Sequence, residues 1–326
     1  LKNICQKSEK KIQVFRFYQT LKRNEVINQL AERASGQFLF ILGEEDWMRP
    51  DSLLRCEQTL RIFPDPEKMV LYSNVNQIND KGYFIPNSEY RQPNELHFPF
   101  FFKPFFEKGL LFPNILWKQG KGIDVNCKGA EYENLLLKFD LAGARFQHIP
   151  LALYSTRASC KQDDAKTREM FLQSLENYSK AKNLNWVWTP GYQSHSVRAI
   201  PPISTYFIQV VIPYKDQKEL TLKCVQSLFK QVDVQFQITA VDNCSTDLSI
   251  AQEIEQLGGE VISIHEPFNY SRLNNLAVQL TQKATHCDVL LFLNNDVELE
   301  PDALCEMLRW IDQPQVGMVG CRLHYP

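Results

Sequence analysis

The sequence predicts an α/β protein, a mostly parallel sheet flanked by helices, present as two incomplete copies in tandem. Two observations carry that expectation. Short apolar runs of β-forming residues alternate with helical patterns, and one block of the chain recurs later without a gap. Residues 37–53 match residues 288–304, so that Pro50 falls on Pro301, a shift of 251 positions, and Glu45 falls on Asp296.

Along the first copy, a helical pattern over 24–34 leads into the strand-like run Phe38-Leu39-Phe40-Ile41-Leu42 and the polar turn Gly43-Glu44-Glu45-Asp46. Gly129-Ala130-Glu131-Tyr132-Glu133-Asn134 opens a helix, where carboxylates suit the positive end of the dipole. A further helix is expected from 163 to 182, and Thr189-Pro190-Gly191 and Ile200-Pro201-Pro202 are expected to break regular structure. The expected division is 1–158, a helical segment and linker over 159–205, and a second copy over 206–326.

The second copy carries the chemistry. Phe207-Ile208-Gln209-Val210-Val211-Ile212, Phe236-Gln237-Ile238-Thr239-Ala240-Val241 and Val289-Leu290-Leu291-Phe292-Leu293 read as strands, and each runs into a polar cluster. The clusters are Pro213-Tyr214-Lys215-Asp216, Asp242-Asn243-Cys244-Ser245-Thr246-Asp247 and Asn294-Asn295-Asp296-Val297-Glu298. Between the strands lie apolar helical spacings through Leu220, Leu222, Val225, Leu228 and Phe229, and through Leu273, Leu276, Ala277 and Leu280, with Ser271 expected as N-cap. Open α/β sheets bind ligands outside the carboxyl ends of their strands, so three polar strand ends on one edge predict a binding site. Read singly, Asp242 and Asp247 also suit ordinary turn and cap positions.

These motifs, in this order, resemble family 2 glycosyltransferases, nearest to rhamnosyltransferase-like enzymes of bacterial surface polysaccharides. Val211-Ile212-Pro213, Val241-Asp242-Asn243-Cys244-Ser245-Thr246-Asp247, Phe268-Asn269-Tyr270-Ser271 and Leu293-Asn294-Asn295-Asp296-Val297-Glu298 carry the likeness. The resemblance implies a GT-A-type, Rossmann-like fold and transfer of a sugar from a nucleotide-diphosphate donor to a glycan or lipid-linked acceptor, with inversion. It implies that Asp296 holds a divalent metal, Mn²⁺ or Mg²⁺, which clamps the diphosphate. It also implies that Asp242 and Asn243 contact base or ribose, that Pro213 and Tyr214 border the base, and that Asn294 and Asn295 reach ribose or phosphate. The family commonly has carboxylates where Asn294 and Asn295 stand. In the first copy the likeness departs further, with Gly43 at a usual aspartate and Tyr132 where the catalytic base falls in a gapless match. Glu131, one position away, is the candidate base there, while the base of the second copy is expected beyond Pro326, in a longer tandem parent. The alternative is a glycan-binding or scaffold protein with decayed transferase domains.

Composition bounds the partners. A formal charge of −2 over 326 residues gives no electrostatic reason to bind nucleic acid. The nine cysteines show no C-x-x-C spacing and are expected as reduced thiols, which points to the cytoplasm, with peripheral association at the inner membrane face compatible. No G-x-G-x-x-G or P-loop follows a strand, which counts against dinucleotide and NTP folds of those types. The aromatic stretch Phe98-Pro99-Phe100-Phe101-Phe102 is too short and too broken by proline to span a membrane, and the lone His195 is assigned no role.

Overall fold

A computed structural model describes residues 13–96, 109–127, 129–157, 165–193, 196–281, 287–314 and 316–324. The aromatic stretch at 98–106 and His195 lie outside them. The chain divides into two compact units, Leu1–Ile200 and Pro201–Pro326.

In the first unit the elements are α1 (Arg23–Arg33), β1 (Phe38–Phe40), β2 (Trp47–Met48), α2 (Ser52–Leu60), β3 (Met69–Ile78), β4 (Leu110–Pro113), α3 (Asn114–Gln119), α4 (Glu131–Leu141), β5 (Arg145–Arg157), α5 (Ala165–Ala181), β6 (Val187–Pro190) and β7 (Val197–Ile200). Five strands form a sheet in the order β1-β4-β3-β5-β2. Only β3 and β5 pair in parallel, so the mostly parallel sheet expected from sequence is not a property of this unit. The β3–β5 ladder is interrupted: Ser73 faces Ile149, Asn74 faces Ala152 and Val75 faces Tyr154, so the 13-residue β5 bulges against the 10-residue β3. Val70, Phe112, Leu135, Leu136 and Phe139 are fully buried between sheet and α4. Burying each such side chain contributes about 1.5–3 kcal/mol.

The helix expected over 163–182 is present as α5, with Phe171, Leu175 and Tyr178 buried. Beyond it the structure departs from the expected break, because Val187–Pro190 pairs antiparallel with Val197–Ile200. Pro190 sits at the strand end, where the Gly191 amide turns the hairpin by donating to Ser196 O, so its missing N–H removes nothing from the ladder. The Trp188 indole donates to Ser179 Oγ at 2.8 Å and ties the hairpin to α5. Two short strands thus lie within the stretch expected as a linker, and the division between the units, after Ile200, falls inside that stretch.

The second unit runs β8 (Phe207–Tyr214), α6 (Lys218–Phe229), β9 (Gln235–Asp242), α7 (Ser249–Gln256), β10 (Glu260–Ser263), α8 (Tyr270–Thr281), β11 (Val289–Phe292) and α9 (Ala303–Ile311). Its sheet is wholly parallel, in the order β10-β9-β8-β11. Every residue of β8 after Phe207 is buried, the pattern of a central strand covered on both faces. Pro213 is tolerated there because it lies past the last β11 pair, Phe292 with Val211, where no ladder bond is required of it. Strand β10 and helix α7 went unread in the sequence, since both are short.

Local details differ from the sequence expectations as well. Helix α8 begins at Tyr270, so Ser271 lies inside its first turn, and the cap is Asn269, whose Oδ1 accepts the Arg272 N–H at 3.0 Å. On α6, Leu220 and Phe229 are exposed, while Thr221, Cys224 and Ser227 share the inner face with Val225 and Leu228. The repeated block holds its form: α2 (52–60) and α9 (303–311) coincide under the shift of 251 positions.

Candidate active site

The strand order makes β8 and β11 neighbours although β9 and β10 intervene in sequence, so the chain reverses direction across the sheet between them. That is the topological switch point, where a crevice opens at the carboxyl ends of the strands. Pro213 and Tyr214 end β8, Asp242 ends β9, and Asn294, Asn295 and Asp296 follow β11, so the structure brings all three predicted clusters to one edge.

Two of the loops are laced together. The Asp216 carboxylate accepts from Thr246 N at 2.7 Å and Thr246 Oγ1 at 2.9 Å, and Asp216 N donates to Ser245 Oγ at 2.9 Å. Bonds from the Thr246 amide and hydroxyl hold the Asp216 carboxyl below its ordinary range. Asp216, Gln217 and Cys244 all have positive φ, at 52°, 54° and 61°, so both loops turn through left-handed backbone without glycine. The Asp242 carboxylate, 7% exposed, accepts from Ser245 N at 2.9 Å and shapes the same turn. Asp247 accepts from Ser249 N and Oγ at 2.9 and 2.6 Å in the turn before α7, and those bonds lower its pKa.

The remaining residues divide by what they already touch. Asn243 is 3% exposed and its amide donates to Ile264 O at 3.0 Å and Glu266 O at 2.8 Å, so it fastens the chain after β10 to the edge. Tyr214 is 3% exposed and its hydroxyl has no partner among the described residues; burial, then the Asp242 charge, pushes the phenol up. Asn294 is exposed, with its backbone carbonyl accepting from the Cys224 thiol, and Asn295 donates from Nδ2 to Thr221 Oγ1 at 2.9 Å. Asp296 is exposed, and among the described residues its carboxylate has no partner.

No group of three or more His, Cys, Asp or Glu side chains among the described residues is arranged to hold a metal. One free carboxylate fits a different mode, in which Mg²⁺ or Mn²⁺ takes one or two protein oxygens and completes its shell with phosphate and water. Asp296 meets that requirement; neutral Asn294 and Asn295 add no charge.

In the first unit, Glu45, which the repeat sets on Asp296, pairs with Arg157 at 3.1 Å, and Asp46 Oδ2 accepts from Gly43 N at 2.6 Å. Glu131 is the first residue of α4 and accepts from Gly129 N at 2.8 Å, a local bond at the helix start. Tyr132 is 5% exposed, and burial pushes its phenol up to about 12. Sequence reasoning missed the bracing role of Asp216 and the contact between Cys244 Sγ and His265 Nδ1, 3.4 Å apart; both depend on loops from different strands meeting.

Residues 209–326 match the model of glycosyl transferase family 2. That segment is a family 2 glycosyltransferase domain. The match starts inside β8 and takes in all three clusters of this edge. With its wholly parallel sheet alternating with helices, the domain is α/β, as expected. The chain is 28% identical over 308 residues to the O-antigen biosynthesis protein RfbC of Myxococcus xanthus, covering 89% of this chain and 23% of that protein. It is 26% identical over 333 residues to the uncharacterized protein y4gI of Sinorhizobium fredii, covering 93% of this chain and 34% of that protein. The chain thus spans about a quarter to a third of the length of these relatives. Among solved structures, the mannosyltransferase PcManGT of Pyrobaculum calidifontis, in complex with GDP-Man and Mn²⁺, has a TM-score of 0.31 at 17% identity over 35% of this chain and 34% of that one. Residues 1–349 of S. aureus TarS, with UDP-GlcNAc, have a TM-score of 0.28 at 22% identity over 32% of this chain and 31% of that one. No helix among the described residues is long and apolar enough to cross a membrane.

Proposed function

We propose that the second unit binds a nucleotide-diphosphate sugar at the β8–β11 crevice and serves its transfer, with inversion, to a glycan or lipid-linked acceptor during cell-surface polysaccharide synthesis. The observation that carries this reading is the free Asp296 carboxylate at the switch point, beside two loops braced by Asp216 and Asn243. The relatedness to a protein named for O-antigen biosynthesis supports the polymer class. In this reading Tyr214 and Pro213 floor the base pocket, Asp242 orients base or ribose, and Asn294 and Asn295 offer amides to ribose or phosphate. A divalent cation at Asp296 would neutralise charge developing on the departing diphosphate. Fixed loops keep the donor oriented without reorganisation when the bond breaks.

The first unit is proposed as non-catalytic. Arg157 neutralises Glu45, and Glu131 is committed to the start of its own helix. The tandem reading, with the C-terminal part of one transferase-like domain followed by the nucleotide-binding half of another, rests on the repeated block and its coinciding helices.

The test is calorimetric titration of UDP, dTDP and GDP into the chain with and without Mn²⁺, beside Asp296→Ala. Metal-dependent binding of one nucleotide, weakened about tenfold or more by the substitution, about 1.4 kcal/mol or more, is expected. Failure of all three nucleotides to bind the folded chain would overturn the transferase reading in favour of a glycan-binding or scaffold protein.

A further inference from the structure

The first unit holds an open cleft of about 800 Å³ beside the β3–β5 bulge, within the size range of ligand sites. Its lining includes Asn74, Arg91, Gln92, Asn94 and His148, and its lip is Pro150 and Leu151, the residues that the bulge pushes out of register. None of these belongs to the transferase edge of the second unit.

Hydrogen-bond accounting shows what the cleft lacks. Asn74 Oδ1 accepts the Gln92 N–H at 3.0 Å, and Asn74 Nδ2 donates to Glu89 at 2.8 Å, so the orientation of this amide is fixed. His148 Nε2, 2.8 Å from the same oxygen, must therefore carry a proton. Burial holds the His148 pKa below its ordinary value. Nδ1 lies 3.1 Å from Asn94 Oδ1, so the ring bridges the Asn74 and Asn94 side chains. Tyr72 stacks on the imidazole at 5.1 Å and locks the ring. Gln92, 4% exposed, has a buried side-chain oxygen with no partner among the described residues. A buried unpaired carbonyl costs roughly 1–3 kcal/mol and calls for a donor from outside.

Charge narrows the ligand. Of the three charged side chains lining the cleft, Glu89 is engaged by Asn74 and Arg49 pairs with Asp51 at 3.1 Å. Arg91 is exposed and makes no ion pair with any described residue. A buried acceptor wanting a hydroxyl donor, an apolar lip and one free guanidinium together match a sugar chain bearing carboxylates.

We propose that this cleft binds a short stretch of acidic polysaccharide, with a sugar hydroxyl donating to Gln92, a sugar face on Pro150 and Leu151, and a carboxylate on Arg91. The assignment rests on the polysaccharide reading only for the class of polymer. Trigalacturonate, a hyaluronan tetrasaccharide and neutral maltotriose are titrated into the whole chain by calorimetry and saturation-transfer NMR, with UDP and Mn²⁺ titrated in parallel. At least one acidic probe is expected to bind, at least tenfold more tightly than maltotriose. Arg91→Ala is expected to weaken it at least tenfold and Gln92→Met severalfold, with unchanged circular dichroism and unchanged UDP binding. Lack of binding by both acidic probes overturns the proposal, as does equal binding of maltotriose or indifference to Arg91→Ala. Nucleotide binding that persists in those cases leaves the donor site standing, and its loss alone leaves the cleft standing.

Discussion

Replacing Asn243 separates a bracing role from a ligand-binding one. Its amide satisfies two carbonyls, Ile264 O in the interior and Glu266 O at the margin, at 3.0 and 2.8 Å. Asn243→Ala removes both donors, leaving one carbonyl fully desolvated and one partly so. At roughly 1–3 kcal/mol for each buried group left unpaired, discounted for the outer one, the cost is about 2–3 kcal/mol. Asn243→Asp keeps the shape but sets carboxylate oxygens against two carbonyl oxygens, so it must cost more than alanine. Hydrogen exchange of the whole chain, followed by mass spectrometry on peptides from β9 and β10, reads the effect directly. Protection in β10 should fall about 30- to 150-fold in Asn243→Ala, and further in Asn243→Asp. If Asn243→Asp exchanges like the parent chain, or is better protected than Asn243→Ala, the bracing argument is wrong.

Other perturbations follow from the same geometry. Gln217 holds φ at 54°, which costs a side-chain-bearing residue about 1–2 kcal/mol, so Gln217→Gly should raise the stability of the second unit by about 1 kcal/mol in urea unfolding. Burial lowers the His148 pKa from 6.5, so the unfolded chain binds this proton more tightly. Its contribution is fully present above that unfolded value, declines as pH drops through the interval down to the folded pKa, and levels off below it. The unfolding midpoint of the first unit should drop accordingly on acidification, and less so in His148→Gln. Glu131→Ala should loosen the start of α4 by about 1 kcal/mol, seen as faster exchange there, while nucleotide binding stays unchanged.

The edge of the second unit was legible because each strand there is a short apolar run cut off by residues that favour turns, as in Val289 to Leu293 followed by Asn294-Asn295-Asp296. The repeated block was legible for the same reason, and its two helices begin and end in register. Strand β10 was not, because four residues between Gly259 and Ile264 carry too little pattern to distinguish from a loop. The antiparallel pairings of β1, β2 and β4 escaped because the direction of pairing is set by partners distant in sequence. Ser271 misled as a cap because Asn269, two residues earlier, competes for the same role and reaches the Arg272 amide. Gln92 gave no signal, since a single polar residue on a surface stretch acquires meaning only when the fold closes over it.

The irregular pairing of β3 with β5 also limits how this region can change over generations. Strand β5 spends three more residues than β3 over the same ladder. Side chains of a strand alternate between its faces, so loss or gain of a single codon within 150–153 would turn every later residue of β5 over. Tyr154 would leave the interior, and Arg157 would point away from Glu45. Length variation here should therefore come in steps of two residues, a pattern that comparison of natural variants can read without purifying any protein.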